Sequence, residues 1–155
     1  LGGVVSLEGG YYDSRRDRSG RNAAVENSRG KYLAGYQREL APDLTLGLQY
    51  AGDVMEDHDA YRATRGPGMA NRPTVRHVLT ARLTQLFWNQ TLKLGLFVLG
   101  SPNEGDFYVN PEVKYNVTDA LWAALGVNLF GGPRRAEFGQ FEGNSNLYAV
   151  VRYAF

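Results

Sequence analysis

The chain has 155 residues, a net charge of +1, 43% hydrophobic residues and no cysteine. This length makes one domain, residues 1–155. The near-neutral balance excludes the single-sign field that nucleic-acid binding uses, so no nucleic acid is expected. No apolar run approaches the roughly 18 residues of a helical membrane span.

Apolar and polar residues alternate in eight stretches, the period of a strand with two unlike faces. The first, residues 3–12, sets Val5, Leu7, Gly9 and Tyr11 against Ser6, Glu8, Gly10 and Tyr12. Residues 13–29 hold five Arg without periodicity and read as a loop. Residues 31–40 set Tyr32, Ala34, Tyr36 and Leu40 against Lys31, Gly35, Gln37 and Glu39, and Ala41-Pro42-Asp43 turns the chain. Residues 44–54 set Leu44, Leu46, Leu48 and Tyr50 against Thr45, Gly47, Gln49 and Ala51.

A polar stretch, residues 55–73, carries Glu56-Asp57-His58-Asp59 and Gly66-Pro67-Gly68. The fourth strand, residues 74–87, places Val75, His77, Leu79, Ala81, Leu83 and Phe87 opposite Arg76, Thr80, Arg82 and Thr84. Trp88-Asn89-Gln90 is a tight turn, and residues 91–99 alternate Leu92, Leu94, Leu96 and Val98 with Lys93, Gly95 and Phe97. After a loop at 101–105, residues 106–117 alternate most cleanly: Phe107, Val109, Pro111, Val113, Tyr115 and Val117 oppose Tyr108, Asn110, Glu112, Lys114 and Asn116. Thr118-Asp119-Ala120 turns into a seventh strand with Leu121, Ala123, Leu125, Val127 and Leu129 on one face. A Gly-rich loop, 131–144, leads to the last strand, 145–155, whose apolar face is Leu147, Ala149, Val151, Tyr153 and Phe155.

Connections alternate long and short, with every short one on the side of the C-terminus. The short hairpins repeat an apolar-Gly-apolar triplet beyond the turn, so the unit is a β-hairpin in an up-and-down meander. Aromatic residues gather at the ends of the apolar faces. Phe87 and Tyr115 lie near the turns; Tyr11, Tyr50 and Phe107 lie near the loops. These are two girdles about ten residues apart, as a strand tilted through a roughly 25 Å apolar band requires.

The last eleven residues resemble the closing strand of Gram-negative outer-membrane β-barrel proteins, whose assembly signal ends in Phe behind alternate apolar residues; here these are Leu147, Ala149, Val151, Tyr153 and Phe155. The segment 131–155, with Glu137-Phe138-Gly139-Gln140-Phe141, is also similar to the last hairpin of larger porins. The expected fold is an all-β, antiparallel, up-and-down transmembrane β-barrel of eight strands in the bacterial outer membrane, with both termini periplasmic. The resemblance implies the lipid bilayer and the outer-membrane assembly machinery as partners. Arg15, Arg16, Arg18 and Arg21 are available to lipopolysaccharide phosphates. A first strand that begins almost at residue 1 is expected of a mature chain or of the C-terminal part of a wider barrel.

Chemistry is sparse. His58 in its acidic loop has no calcium-loop spacing beside it. His77 lies on the lipid face with Leu79, not Ser, two residues on. Neither enzyme nor cofactor is expected. Glu8, Lys31, Glu39, Arg76, Arg82, Lys93, Glu112, Lys114 and Arg152 face inward, and in a narrow lumen they must pair with one another. The expected function is a structural or surface-interaction protein with a charge-paired lumen; the alternative is a porin, or a barrel derived from one, passing small solutes with a slight anion preference.

Overall fold

The computed structural model describes residues 2–22, 24–67, 69 and 71–155, so Gly68 of the expected Gly-Pro-Gly segment lies outside it. Eight strands are found where alternation places them. They are β1 (Gly3–Tyr12), β2 (Arg29–Ala41), β3 (Leu44–Met55), β4 (Val75–Phe87), β5 (Leu92–Ser101), β6 (Asp106–Asn116), β7 (Leu121–Gly131) and β8 (Asn146–Tyr153). All belong to one antiparallel sheet in sequence order. Two elements in the loops were not foreseen: a short helix α1 (His58–Thr64) and a 3₁₀ helix at Gly139–Asn144.

Two of the three short connections use left-handed backbone. Trp88, Asn89 and Gln90 take φ values of 51°, 53° and 70° in succession, and Asp43 takes 61°. The β2–β3 turn also touches its neighbours, Asp43 O accepting from Leu86 N at the end of β4 at 3.0 Å and Asp43 Oδ1 from Gln90 Nε2 of the β4–β5 turn at 3.4 Å.

The expected closure of the barrel is not made. β1 pairs with β2 and β8 pairs with β7, and no ladder joins β1 to β8. The sheet is nevertheless hollow on one side. In a flat sheet β1 and β5 lie about 19 Å apart, yet Val4 and Ser6 of β1 line the same cavity of about 310 Å³ as Phe97 of β5. This concave face is the polar one. It also carries bulk: Phe97, Tyr108 and Phe130 stack across β5, β6 and β7, the last two with centroids 4.7 Å apart. A closed eight-stranded barrel has an interior only wide enough for its side chains to fill. Rings of this size on adjacent strands oppose so tight a curvature.

Register puts the apolar residues on the other, convex face. One row runs Leu7, Ala34, Tyr50, Leu79, Gly100, Phe107. Another runs Phe87, Leu92, Tyr115, Ala123, Val151. Tyr50 and Phe107 thus share the first row and Phe87 and Tyr115 the second, whereas Tyr11 falls outside both, opposite Gly30; Trp88 adds an edge-to-face contact on Tyr115 at 6.5 Å. Among the described residues Arg38, opposite Gly3 and Leu46, is the one cation set among these apolar side chains.

An ordinary core is missing. Among the described residues only Met55, Tyr61, Ala124 and Ala136 are buried hydrophobic side chains, whereas Leu7, Leu147 and Val151 are 69–78% exposed. A water-soluble domain of this length covers most of its large aliphatic side chains. Here they form a continuous exposed band.

Besides a register shift between Glu39 and Ala41 in the β2–β3 ladder, the sheet's hydrogen bonding is broken in the middle of β6. Pro111, in the middle of β6, has no N–H to donate, and the β6–β7 ladder is interrupted between the pairs Val109–Leu129 and Glu112–Gly126. The neighbouring side chain repairs it: Asn110 Nδ2 donates to Val127 O, the carbonyl opposite Pro111, at 2.8 Å.

Candidate functional site

At the long-loop end of the concave face lies a charged mouth. Lys31, Asp53 and Arg76 share one register row across β2, β3 and β4. Arg29 stands two residues further along β2, because that strand begins earlier than alternation alone predicts. Asp53 Oδ2 accepts from Arg29 Nη1 at 3.2 Å and lies 3.7 Å from Lys31 Nζ. Glu26 approaches Arg29 at 3.3 Å and Arg72 at 3.5 Å. Together with Glu104, Arg135, Glu137 and Gln140 these groups line a cavity of about 520 Å³.

Arg76 is the hub. Its Nε donates to Glu104 Oε2 at 2.6 Å, its Nη2 to Ser101 Oγ at 3.0 Å and its Nη1 to Glu137. Its guanidinium also lies 5.7 Å from the Phe138 ring centroid. The planar, five-donor head is what allows one side chain to hold three acceptors in different directions.

The other inward-facing charges are arranged differently from the expected paired network. They do share the concave face: Glu39 and Glu112 lie in one row, with Gly126 and Tyr148. Yet among the described residues no ion pair within 4 Å involves Glu8, Glu39, Arg82, Lys93, Glu112, Lys114 or Arg152. Lys114 Nζ sits 4.3 Å from the Trp122 ring centroid and Arg82 Cζ 5.4 Å from that of Phe97, so aromatic faces take the place of carboxylates. Glu112 accepts a hydrogen bond from Tyr148 Oη at 2.8 Å. Lys93 and Lys114 stand directly opposite each other, which costs stability unless water separates their charges. The openness of the sheet explains the difference: no opposite wall brings partners across.

Asp53 was within reach of sequence reasoning, since period two from Gln49 through Ala51 sets it on the polar face. Glu104 and Glu137 were not, because they enter from loops whose paths no spacing encodes.

The convex face carries an aromatic chain at the same height. Tyr32 and Tyr50 hydroxyls lie 3.1 Å apart, and Tyr50 Oη lies 2.7 Å from His77 Nδ1. A shallow apolar groove of about 680 Å³ runs below, lined by Ala34, Tyr36, Leu48, Ala81, Val98 and Phe107.

Of the loop arginines, Arg15 and Arg18 pair with Asp13 at 3.7 and 3.0 Å, while Arg16 and Arg21 make no ion pair among the described residues. The Ser19 hydroxyl and the Asn22 N–H hold the Asp17 carboxyl below its ordinary range. His58 Nε2 lies 2.9 Å from Arg72 O. Among the described residues no three His, Asp or Glu side chains gather as metal ligands. No protein-family model, no curated protein and no solved structure matches this chain.

Proposed function

We propose that the chain forms a wall of an outer-membrane β-barrel wider than eight strands, whose concave face lines a water-filled path for small solutes with a preference for anions. The exposed apolar band carries the membrane part of this reading. A face of Leu, Val and aromatic rings, with almost no core behind it, needs an apolar solvent, and lipid acyl chains supply it and fill the groove. The two aromatic rows then lie at the two interfaces, and Arg38 extends its head toward the nearer one. The width follows from the unpaired edges of β1 and β8, since backbone at membrane depth must be hydrogen-bonded and further strands are needed to do it.

Anion preference follows from charges along the wall. Among the described residues Arg82, Lys93, Lys114 and Arg152 have no carboxylate within 4 Å, and the aromatic faces beside Arg82 and Lys114 leave their charge uncompensated, so water and passing anions solvate these groups. The test is conductance of the purified protein in a planar bilayer under a KCl gradient. The expected result is open-channel current with a reversal potential on the anion side, moved toward cations in Lys114→Glu. A closed, non-conducting wild-type protein, or the same reversal potential in both, overturns the reading.

A further inference from the structure

The loop after β7 does not stand away from the mouth. Residues 132–144 fold across the concave side and are held there by groups from three different strands. Arg76 of β4 bonds Glu137, and Phe138 N donates to Asp106 Oδ2, at the start of β6, at 2.7 Å. Phe141 packs on Phe130 of β7 at 5.7 Å, extending the ring stack that begins at Phe97 of β5. Gly139 allows the fold, since a Cβ there would lie 2.2 Å from Pro133 O.

In the cavity itself, the four acidic groups are already engaged: Asp53 and Glu26 by Arg29 and its neighbours, Glu104 and Glu137 by Arg76. Arg135 lines the same cavity with no ion pair or hydrogen bond among the described residues, and it is carried there by the folded loop. A guanidinium left over beside carboxylates that already have cationic partners presents donors and no acceptors.

We propose that Arg76 is a clasp holding loop 132–144 across the mouth, and that the clasped loop makes Arg135 the group that selects anionic solutes with several oxygen acceptors, such as carboxylates or phosphates. The selection rests on the diffusion-path reading above; the clasp does not. Arg76 acts on position and Arg135 on charge, so the two are separable.

The experiment compares wild type, R76Q, E137Q and R135Q by hydrogen exchange in detergent micelles and by bilayer conductance in KCl and potassium phosphate. In R76Q the amides of 137–141 are expected to exchange about tenfold faster, equivalent to about 1.4 kcal/mol of lost closure, and single-channel current to rise. E137Q removes only the loop's half of the clasp and reproduces both effects if R76Q itself folds poorly. R135Q keeps wild-type exchange, moves the reversal potential toward cations and loses the block of chloride current by phosphate. Unchanged exchange in both R76Q and E137Q overturns the clasp. Unchanged selectivity and unchanged phosphate block in a conducting R135Q overturn the selecting role. Absence of current in the wild type defeats the diffusion path and the selecting role together, while the exchange result still decides the clasp.

Discussion

At the scale of single residues, glycine placement decides which long side chains cross the sheet. Tyr148 of β8 lies over Gly126 of β7 to reach Glu112 and Asn110 of β6; a Cβ on Gly126 would sit 2.3 Å from the tyrosine hydroxyl. Gly126→Val is therefore expected to expel the ring and break both hydrogen bonds, at a cost of about 1–3 kcal/mol. Gly10→Val provides the contrast, since nothing lies within 4 Å of its added Cβ. Urea unfolding in lipid vesicles would show it, and equal midpoints for the two variants would refute the crossing. Sequence showed that Gly35, Gly47, Gly95 and Gly126 occupy the polar face. It did not show which rings use the space, because a cross-strand partner is fixed by register and register is a tertiary fact.

At the scale of elements, strands and their faces were legible because period two is a local signal that runs through eight or more residues. The helix α1 was not. Glu56-Asp57-His58-Asp59 has no apolar periodicity, its N-cap Asp57 makes no side-chain cap bond, and the one buried residue of the helix, Tyr61, shares a cavity with Ala24, Val25 and Asn27, distant in sequence. The turns were legible in place but not in strain. Three non-glycine residues in left-handed backbone at 88–90 hold energy that glycine does not, about 1–2 kcal/mol each before the entropy of the unfolded chain is counted. Gln90→Gly is expected to raise stability by up to about 1 kcal/mol. Only a 3.4 Å contact to Asp43 is given up, and Trp88 stays on Tyr115. A lower urea midpoint for this variant would show that the side chain matters more than the backbone there.

For the whole molecule, the deciding contrast is between its two surfaces. Leu94, 42% exposed on the convex face, and Lys93, its concave-face neighbour on β5, differ by one residue along the strand. If the convex band meets hydrocarbon, Leu94→Arg costs about 2–4 kcal/mol in a bilayer, and Lys93→Gln costs less and relieves the repulsion with Lys114. Equal costs, measured by reversible unfolding into urea from vesicles, would remove the membrane assignment. The alternation of faces told this much from sequence. Whether the sheet closes on itself was not there to be read, because closure depends on curvature and on edge pairing, which no local pattern describes.

The repair at Pro111 has a mechanical side. A ladder interrupted between β6 and β7 and mended by one asparagine side chain is a softer joint than the continuous ladders on either side of it. It divides the sheet into a six-stranded leaf, β1–β6, and a two-stranded leaf, β7–β8. The outer edge of the small leaf is β8, which in this sheet pairs with β7 alone. A leaf able to pivot can adjust its angle to an incoming strand without disturbing the ladders behind it. Arg76, on the large leaf, reaches across to Glu137, on the loop that belongs to the small one. The same guanidinium that holds the loop is thus placed to limit any turning of the small leaf against the large one.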